Sequence, residues 1–477
     1  MGQSENKSKK LLGGLLGVFV AVAVYLLSGG VGLTQQGGVC LAVLSFAIVW
    51  WIAGVLPDFA TALLMAIGFM LLGGMDAGTV FSAFSTETWW LLVAAFGMGA
   101  SMKRTGLMER MALAIIRKLP NSFAAYVAGL IAVGTCVGPF VPSMAAKVSM
   151  LAPIAMSMGD AAGYKRKGKQ MQGLFMAMFT GVRTVAPAVI SASVIGYALL
   201  GLLPQETQAQ FGMLHWFMAA LPWFALVTVL NLIALVCIYR PHEDAGDFID
   251  APADECHQAI LEPGDAPTPM SLQEKELLAI VLCTVFLWAT QPLHGLSAAL
   301  VALVALVCMA ACKILTAASF KSDINWTSLV FIGIVIGLAG TFKQAGVSDW
   351  LVSTTGPAFQ ALTANPYAFV IGVALLTLLL RFLIVSQIAY LNIVMAFLVP
   401  LVAVQGIDPW VAGFTMYAMI DPWFVLYQNP CYLAAYYSID GQMCEQKDAA
   451  KYCLLYSAIS VLGLIVSVPY WQGMGLL

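Results

Sequence analysis

One stretch of the sequence, residues 134–160, is apolar at both ends and broken in the middle. It reads GTCVGPFVPSMAAKVSMLAPIAMSMGD, with two prolines and Ser143 inside the break and Lys147 shortly after it. An uninterrupted transmembrane helix needs about 20 apolar residues, and lipid cannot satisfy the backbone polar groups that a break exposes. We therefore predict a re-entrant helical hairpin near 124–160 with Lys147 at its tip. The alternative is a proline-kinked helix whose lysine reaches the inner surface.

The composition indicates that the whole chain lies in a lipid bilayer. Hydrophobic residues make up 61% of the sequence and charged residues 10%, whereas a soluble domain carries about 25% charged residues. The sequence predicts an all-α polytopic membrane protein with about eleven transmembrane helices and with two re-entrant hairpins in an inverted repeat. We expect the lipid bilayer as its environment and no nucleic acid as a partner. The 10 Cys include no CxxC pair, so no metal or redox motif is predicted.

A polar, acidic and proline-rich stretch divides the chain into two halves. Its sequence, HEDAGDFIDAPADECHQAILEPGDAPTP, is typical of a linker. The predicted organisation has an N-terminal tail and first span at 1–30, a first repeat at 31–239 with the hairpin near 124–160, an acidic cytoplasmic linker at 240–274, and a second inverted repeat at 275–477 with a second re-entrant hairpin near 367–404.

The basic residues indicate an orientation. If the N-terminus is inside and both hairpins re-enter, most of the 22 Lys and Arg residues lie on the inner side, including KRKGK at 165–169, and Lys343 lies outside. Cytoplasmic loops carry such an excess, so we predict a multi-pass protein of the inner (plasma) membrane with a cytoplasmic N-terminus. Lys147, Arg183 and Arg381 remain inside apolar segments. Charges at such depth are costly and indicate a functional site.

A short motif occurs once in each half. FGMGASMKRTGL at 96–107 is similar to IGLAGTFKQAGV at 336–347, and each copy ends a span and precedes a broken hairpin. The predicted orientation places the lysine of the first copy inside and the lysine of the second copy outside. One unit in two opposite orientations is an inverted-topology repeat, which is typical of secondary transporters that bind substrate near the membrane midplane.

In its motifs and in the order of its elements, nearly the whole chain resembles the divalent anion/sodium symporter family. The resemblance rests on a span that leads into K-x-x-G-[LV], followed by a hairpin, a broken span and a linker, with the set repeated. It implies an elevator-type carrier for dicarboxylates, citrate-like acids or sulfate, usually a homodimer. It also implies Na⁺ as a candidate coupling ion, and no other cofactor is expected.

The resemblance implies substrate contacts at the first hairpin tip. In that family each tip carries Ser-Asn-Thr at a fixed distance before a proline. Ser143 stands at that distance before Pro153, but Met144 and Ala145 follow it in place of Asn and Thr. A nearby position that is often Thr holds Lys147, which is a candidate ligand for a substrate carboxylate.

The second tip has two candidate positions. Tyr390, with Asn392 beside it, stands at the family distance before Pro400, and Ser386-Gln387 lies just upstream. Hydroxyl and amide groups at these positions could contact substrate. Polar residues within membrane helices also serve as packing contacts between helices, and that alternative stays open for each of them.

The family's sodium-binding loops would fall near 180–184 and 421–430. Candidate sodium sites are therefore expected near Ser143, Thr180, Ser386 and Asp421. This chain has placed cations nearby, and Lys147 and Arg183 could stand in for bound sodium as fixed positive charges. That substitution would suit an anion exchanger or a proton-coupled carrier.

Arg183 has two interpretations of its own. Guanidinium matches carboxylate or sulfate with two parallel hydrogen bonds, so it could clamp an anionic substrate. It could instead pair with a buried acid such as Asp421, and the two states can alternate during transport. Thr184 and Asn429, which lie in the two candidate loops, are further candidate substrate contacts.

The sequence thus predicts a secondary active transporter of a small anionic substrate, a di- or tricarboxylate, that works by elevator-type alternating access. The alternatives are an anion channel with basic residues along one pore, or a carrier for an inorganic anion such as sulfate. No HExxH motif and no acidic pair within one span is present, so we do not expect an enzyme.

Overall fold

The computed structural model of the protein describes residues 2–240 and 269–477. These residues are 80% helical and include no strand, which confirms the all-α prediction. Most of the predicted linker, residues 241–268, lies outside the described residues.

The helices of the first half follow one another with short connections. In chain order they are α1 (Gly2–Ser28), α2 (Gln35–Ala53), α3 (Asp58–Leu71), α4 (Ala77–Val80), α5 (Glu87–Thr105), α6 (Leu107–Ile116), α7 (Phe123–Val137), α8 (Met144–Ala161), α9 (Lys169–Ala188), α10 (Val194–Leu202), α11 (Gln205–Gln210) and α12 (Met213–Tyr239). Single 3₁₀ turns lie at Gly29–Val31, Ser82–Ser85, Gly138–Phe140 and Ile190–Ala192.

The second half begins after the linker. Its helices are α13 (Leu272–Ala289), α14 (Gln291–His294), α15 (Ala298–Ala311), α16 (Ala317–Ser322), α17 (Trp326–Ile336), α18 (Leu338–Gln344), α19 (Val347–Thr363), α20 (Pro366–Leu380), α21 (Gln387–Val404), α22 (Pro409–Met419), α23 (Pro430–Tyr437) and α24 (Gln446–Gly473). A 3₁₀ turn lies at Leu426–Gln428.

Several helices are long and apolar enough to cross a membrane. Within the described residues there are seven by length and composition: Lys10–Val31, Gln35–Ala53, Phe123–Phe140, Met213–Tyr239, Trp326–Gln344, Gln387–Val404 and Gln446–Gly473. Shorter apolar helices occur at Asp58–Leu71, Ala298–Ala311 and Pro366–Leu380. The chain is therefore a multi-pass membrane protein, and the count of eleven spans stays a prediction.

The two halves share one helix–break–helix pattern. The helix before the break has 15 residues in both α7 and α20, and the helix after it has 18 residues in both α8 and α21. The breaks between them, residues 138–143 and 381–386, are equal in length. The lengths of these elements therefore agree with the internal repeat that the short motifs indicated.

The repeated motif corresponds to a repeated turn. Gly106 ends α5 with φ of 74°, and Gly346 follows α18 with φ of 72°. Positive φ is strained for residues that carry a Cβ and open to glycine. The N–H of each glycine donates to the carbonyl of the lysine three residues earlier, Lys103 at 3.3 Å and Lys343 at 3.2 Å. The positive φ of the turn thus explains why each K-x-x-G motif ends in glycine.

An ion pair joins helix α6 to the start of the second half. Nε of Arg110 donates to Oε1 of Glu274 at 2.7 Å, and Nη2 donates to Oε2 at 3.4 Å. Glu274 also accepts from the N–H of Ser271, which begins α13. The Ser271 N–H and the guanidinium hold the pKa of the Glu274 carboxyl below its usual value. The two halves are therefore joined where the linker ends and α13 begins.

Candidate functional site

Four breaks interrupt helices in the interior, and the helix after each break begins at a capping side chain. The breaks are residues 138–143, 189–193, 381–386 and 420–429, and their last residues are Ser143, Ser193, Ser386 and Asn429. Each of these four side chains accepts a hydrogen bond from a backbone N–H in the first turn of the following helix. Such caps satisfy helix N–H groups that have no partner within the helix.

Lys147 joins the two breaks of the first half. Its side chain is 0% exposed. Its ammonium donates to the carbonyl of Ala192 at 2.6 Å and to the carbonyl of Gly138 at 3.4 Å. A backbone hydrogen bond from Val194 N–H to the carbonyl of Pro142, at 3.1 Å, joins the same breaks. The end of a helix leaves backbone carbonyls without a partner in the helix. Here the ammonium of a lysine donates hydrogen bonds to carbonyls at the breaks.

Arg381 joins the two breaks of the second half in the same way. Its buried guanidinium donates to four backbone carbonyls. They belong to Ile384, Val385 at 2.8 Å, Ile420 at 2.7 Å and Gln428 at 2.8 Å. The first two lie in break 381–386 and the others in break 420–429. Each half thus holds its pair of breaks together with one buried cation.

Arg183 connects the halves. It lies on α9, and Nη2 donates to the carbonyl of Ala418 at the end of α22, at 2.8 Å. Nε lies 3.4 Å from Oδ2 of Asp421, and both side chains are almost fully buried. Nε and Oδ2 have no hydrogen-bond partner among the described residues, so this is an ion pair by proximity alone. The guanidinium also lies 5.8 Å from the ring centre of Tyr456.

Asp421 is the centre of a polar chain. Its Oδ1 accepts from Nε2 of Gln387, the first residue of α21. Its backbone carbonyl accepts from Nδ2 of Asn429 at 3.1 Å. The chain Gln387–Asp421–Arg183 therefore runs from the start of α21 into the first half. The structure brings four of the predicted residues together here: Arg183, Gln387, Asp421 and Asn429.

Basic side chains outnumber acidic ones in the interior of this region. Within the part of the chain that the structure describes, the buried cations are Lys147, Arg183 and Arg381, and the buried acids are Asp421 and Glu274. Glu274 pairs with Arg110 at the start of α13, which leaves Asp421 as the acid among the three cations. A buried charge is costly without a partner. A bound anion would compensate the excess positive charge.

Other predicted residues do not converge on this chain. Tyr390 and Asn392 lie inside α21, beyond its Ser386 cap: the Tyr390 hydroxyl donates to Thr377 at 3.0 Å, and the Asn392 amide donates to the carbonyl of Ile388 at 2.6 Å. The second break therefore ends at Ser386, the other candidate tip. Met144 and Ala145 form the first turn of α8.

The expected loop at 180–184 is wrong as a structural prediction. These residues lie inside α9, which continues to Ala188. Thr184 donates to the carbonyl of Thr180 at 2.8 Å, as a helical threonine does. The chain breaks after Pro187, because proline supplies no N–H to the helix and restricts the residue before it. The break of this half is residues 189–193. The break expected near 421–430 is present as 420–429.

The sequence does not reveal the hydrogen-bond partners of the buried cations. They are backbone carbonyls, chiefly those of Ala192, Ile420 and Gln428. Any residue type provides a carbonyl, so no side-chain pattern marks them. The available signal was indirect, namely a cation near a glycine or proline break.

These contacts affect which oxygen atoms are left to bind Na⁺. Na⁺ is held by several oxygen ligands, and the carbonyls at the breaks are among the oxygens that could fill that role. In this structure the ammonium of Lys147 and the guanidinium of Arg381 already bond to them. The described residues contain no group of three or more His, Cys, Asp or Glu side chains that could hold a metal. The breaks as they stand fit fixed cations better than bound Na⁺.

The ion pair can be tested by a double substitution. Asp421→Asn should lower the free energy of unfolding by about 3 kcal/mol, because it leaves Arg183 buried without its counter-charge. Adding Arg183→Gln removes that charge, so the double variant should be more stable than Asp421→Asn alone. Thermal unfolding in detergent measures both. Losses that simply add in the double variant would mean that the two side chains are not coupled.

Cations buried at paired helix breaks in an all-α membrane protein are typical of secondary transporters. Residues 8–477 match the family described as the sodium:sulfate symporter transmembrane region. The match covers nearly the whole chain, and the chain belongs to this family of divalent anion:Na⁺ symporters. The family consists of transporters, which supports the expectation that the chain is not an enzyme.

Similar proteins agree with this assignment. The inner membrane protein YbhI of Escherichia coli is 25% identical over 79% of this chain and 79% of that protein. Dicarboxylate transporter 2.2 of Arabidopsis thaliana chloroplasts is 24% identical over 74% of this chain and 64% of that protein. The sodium-dependent dicarboxylate transporter SdcS of Staphylococcus saprophyticus is 24% identical over 73% of this chain and 71% of that protein.

Solved structures show a related fold. The YdaH transporter of Alcanivorax borkumensis superposes with a TM-score of 0.61 at 18% identity, over 90% of this chain and 98% of that chain. At this level of identity the likeness concerns the fold alone.

Proposed function

We propose that the protein is a secondary carrier that exchanges small dicarboxylate or tricarboxylate anions across the membrane. The observation that carries the proposal is the pair of cations Lys147 and Arg381, each bonded to carbonyls of two helix breaks. The transported class follows from the positive interior and from relatives named as dicarboxylate transporters. Sulfate, which the family description names, is the competing substrate.

The proposed architecture has two re-entrant hairpins, α7–α8 and α20–α21, related by an inverted repeat. Their equal lengths and the repeated glycine turns support it. The positive-inside distribution of Lys and Arg supports a cytoplasmic N-terminus. An elevator movement in a homodimer is the mode of transport that the family resemblance implies, and we include both in the proposal.

The proposed binding region lies between the hairpin tips. The helices α8 and α21 begin there, each with 18 residues and a serine cap. Helix N-termini carry partial positive charge, and broken helices of transporters point such ends at anionic substrates. Arg183 would then release Asp421 and take a substrate carboxylate, since two of its guanidinium nitrogens, Nε and Nη1, have no hydrogen-bond partner among the described residues.

Exchange is the coupling that fixed cations support best. A sodium ion can bind and leave, so that a carrier returns without excess charge. The cations of Lys147 and Arg381 belong to the chain and stay in place. An empty carrier would then keep uncompensated positive charge at depth, which is unfavourable. Return is therefore expected only with another anion bound.

Uptake into proteoliposomes tests the proposal. Radiolabelled succinate, citrate and sulfate should each be offered with a sodium gradient, with a proton gradient, and with unlabelled anion loaded inside. We expect saturable uptake of succinate or citrate only into vesicles that hold a counter-anion. Uptake that requires sodium would contradict the role of the fixed cations. Uptake that does not saturate and needs no internal anion would indicate a channel.

A further inference from the structure

The repeated K-x-x-G turns differ in their surroundings, although their backbones match. We name residues 103–106 the first corner and residues 343–346 the second corner. Each corner is followed by the helix that leads to its hairpin, α6 in the first half and α19 in the second. The two lysines have no role in the site described above.

The first corner borders an open cavity. The cavity has a volume of about 520 Å³ and is lined by residues that include Lys103, Gly106, Glu109, Ala145, Ala146 and Ser149. A Cβ placed on Gly106 would meet no atom within 4 Å. Cavities of about 300–1,000 Å³ are the usual size for small-molecule sites. The space is therefore large enough for a dicarboxylate and its water.

The second corner is closed. The hydroxyl of Thr34, at the start of α2, donates to the carbonyl of Ala345 at 2.8 Å. A Cβ on Gly346 would lie 3.6 Å from Cγ2 of Thr34. The Phe342 ring of α18 packs on the Phe397 ring of α21 with their centres 5.5 Å apart. The corner and the hairpin helix are in contact in the second half, and a cavity separates them in the first.

The open cavity leads to the first hairpin tip. Ala145 and Ala146 belong to the first turn of α8, directly after its Ser143 cap. The ammonium of Lys103 and the carboxylate of Glu109 lie at the α5–α6 side, and neither forms an ion pair within the described residues. Lys103 and Glu109 are both exposed, and Lys103 is the basic residue in the lining of this cavity.

We propose that this cavity is the access site for the anion on the cytoplasmic side, and that Lys103 is the residue that first holds a carboxylate there. The inference rests on the proposed function for the identity of the substrate. Lys343, at the closed corner, is the equivalent residue on the opposite side. A lysine at the rim of a cavity raises the local concentration of anions.

Transport from each side separately tests the role of Lys103. In inside-out vesicles, Lys103→Gln should raise KM for succinate about 2- to 5-fold, the loss expected for one exposed ion pair. The kcat should stay the same, and so should KM in right-side-out vesicles. The effect should shrink at high salt, because exposed charges are screened. Lys103→Arg should behave as the wild type, and the matched control Lys343→Gln should raise KM on the opposite side only.

A second measurement is independent of the transported substrate. Ser149→Cys places a thiol in the cavity, and its labelling from the cytoplasmic side is compared between an anionic and a cationic thiol reagent, with the parent chain as the control. We expect the anionic reagent to react faster, and Lys103→Gln to remove that preference. Equal changes on both sides of the membrane, salt-insensitive changes, or a thiol that does not label would overturn the inference. The two proposals can fail separately. If the thiol labels as expected but the wild type exchanges none of the three anions, the access site is supported and the proposed function is rejected.

Discussion

Replacement of Lys147 by alanine is expected to abolish anion exchange. The ammonium bonds the carbonyls of Gly138 and Ala192, which lie in two different breaks of the first half. The Gly138 carbonyl keeps the N–H of Val141 as a partner, but a buried Ala192 carbonyl left unpaired costs about 1–3 kcal/mol, and the region loses a basic group that would face the substrate. Counter-anion exchange of succinate in proteoliposomes measures the loss, with thermal unfolding in detergent as the check on folding.

A second substitution at Lys147 separates charge from packing. Lys147→Thr removes the ammonium and introduces a hydroxyl. The hydroxyl and the carbonyls that the ammonium had bonded are then free to bind Na⁺. We expect part of the activity to return when Na⁺ is present, and none when Na⁺ is replaced by choline. Exchange that survives Lys147→Ala at wild-type rates would reject the role of this lysine as a fixed cation.

Replacement of Arg381 by alanine is expected to have the largest effect on stability. The guanidinium donates hydrogen bonds to four carbonyls in two breaks, those of Ile384, Val385, Ile420 and Gln428. Losing these bonds should lower the free energy of unfolding by about 4 kcal/mol or more, allowing for contributions that do not add. Transport should be lost as well, because break 381–386 is no longer joined to break 420–429. Thermal unfolding and counter-anion exchange measure the two effects.

Arg381→Lys is the matched control for charge. Lysine keeps the positive charge but has a compact ammonium with three donors, whereas arginine has five donors in a planar fork. We expect Arg381→Lys to recover little of the lost stability. If Arg381→Lys were as stable as the wild type, charge alone would hold the breaks and the four-carbonyl geometry would be unnecessary.

The sequence revealed the parts of this site that depend on side-chain identity. Lys147, Arg183 and Arg381 stood out because cations are rare in apolar segments, and all three are buried. The break near 421–430 was visible from its prolines, and Asp421 was named as a partner for Arg183, which the 3.4 Å approach of their charged groups supports.

Other parts depend on backbone and could not be predicted. Counting back from Pro400 pointed to Tyr390, yet α21 begins three residues earlier, since Ser386 caps it. The loop expected at 180–184 is helical because the residues that end α9 lie further along, at Pro187. The carbonyls that bind Lys147 and Arg381 have no side-chain signature, so only the folded chain identifies them.

The covalent attachment of these cations has a thermodynamic consequence. A carrier that binds sodium can use the sodium gradient to concentrate its substrate. An exchanger whose cations are lysine and arginine side chains moves no coupling ion down a gradient, so it can bring the ratio of one anion across the membrane only to that of the anion it returns. The bonds of Lys147 and Arg381 to the helix breaks would therefore make this protein an exchanger that equalises the transmembrane ratios of two anions, so that one anion can be concentrated only at the expense of the gradient of the other.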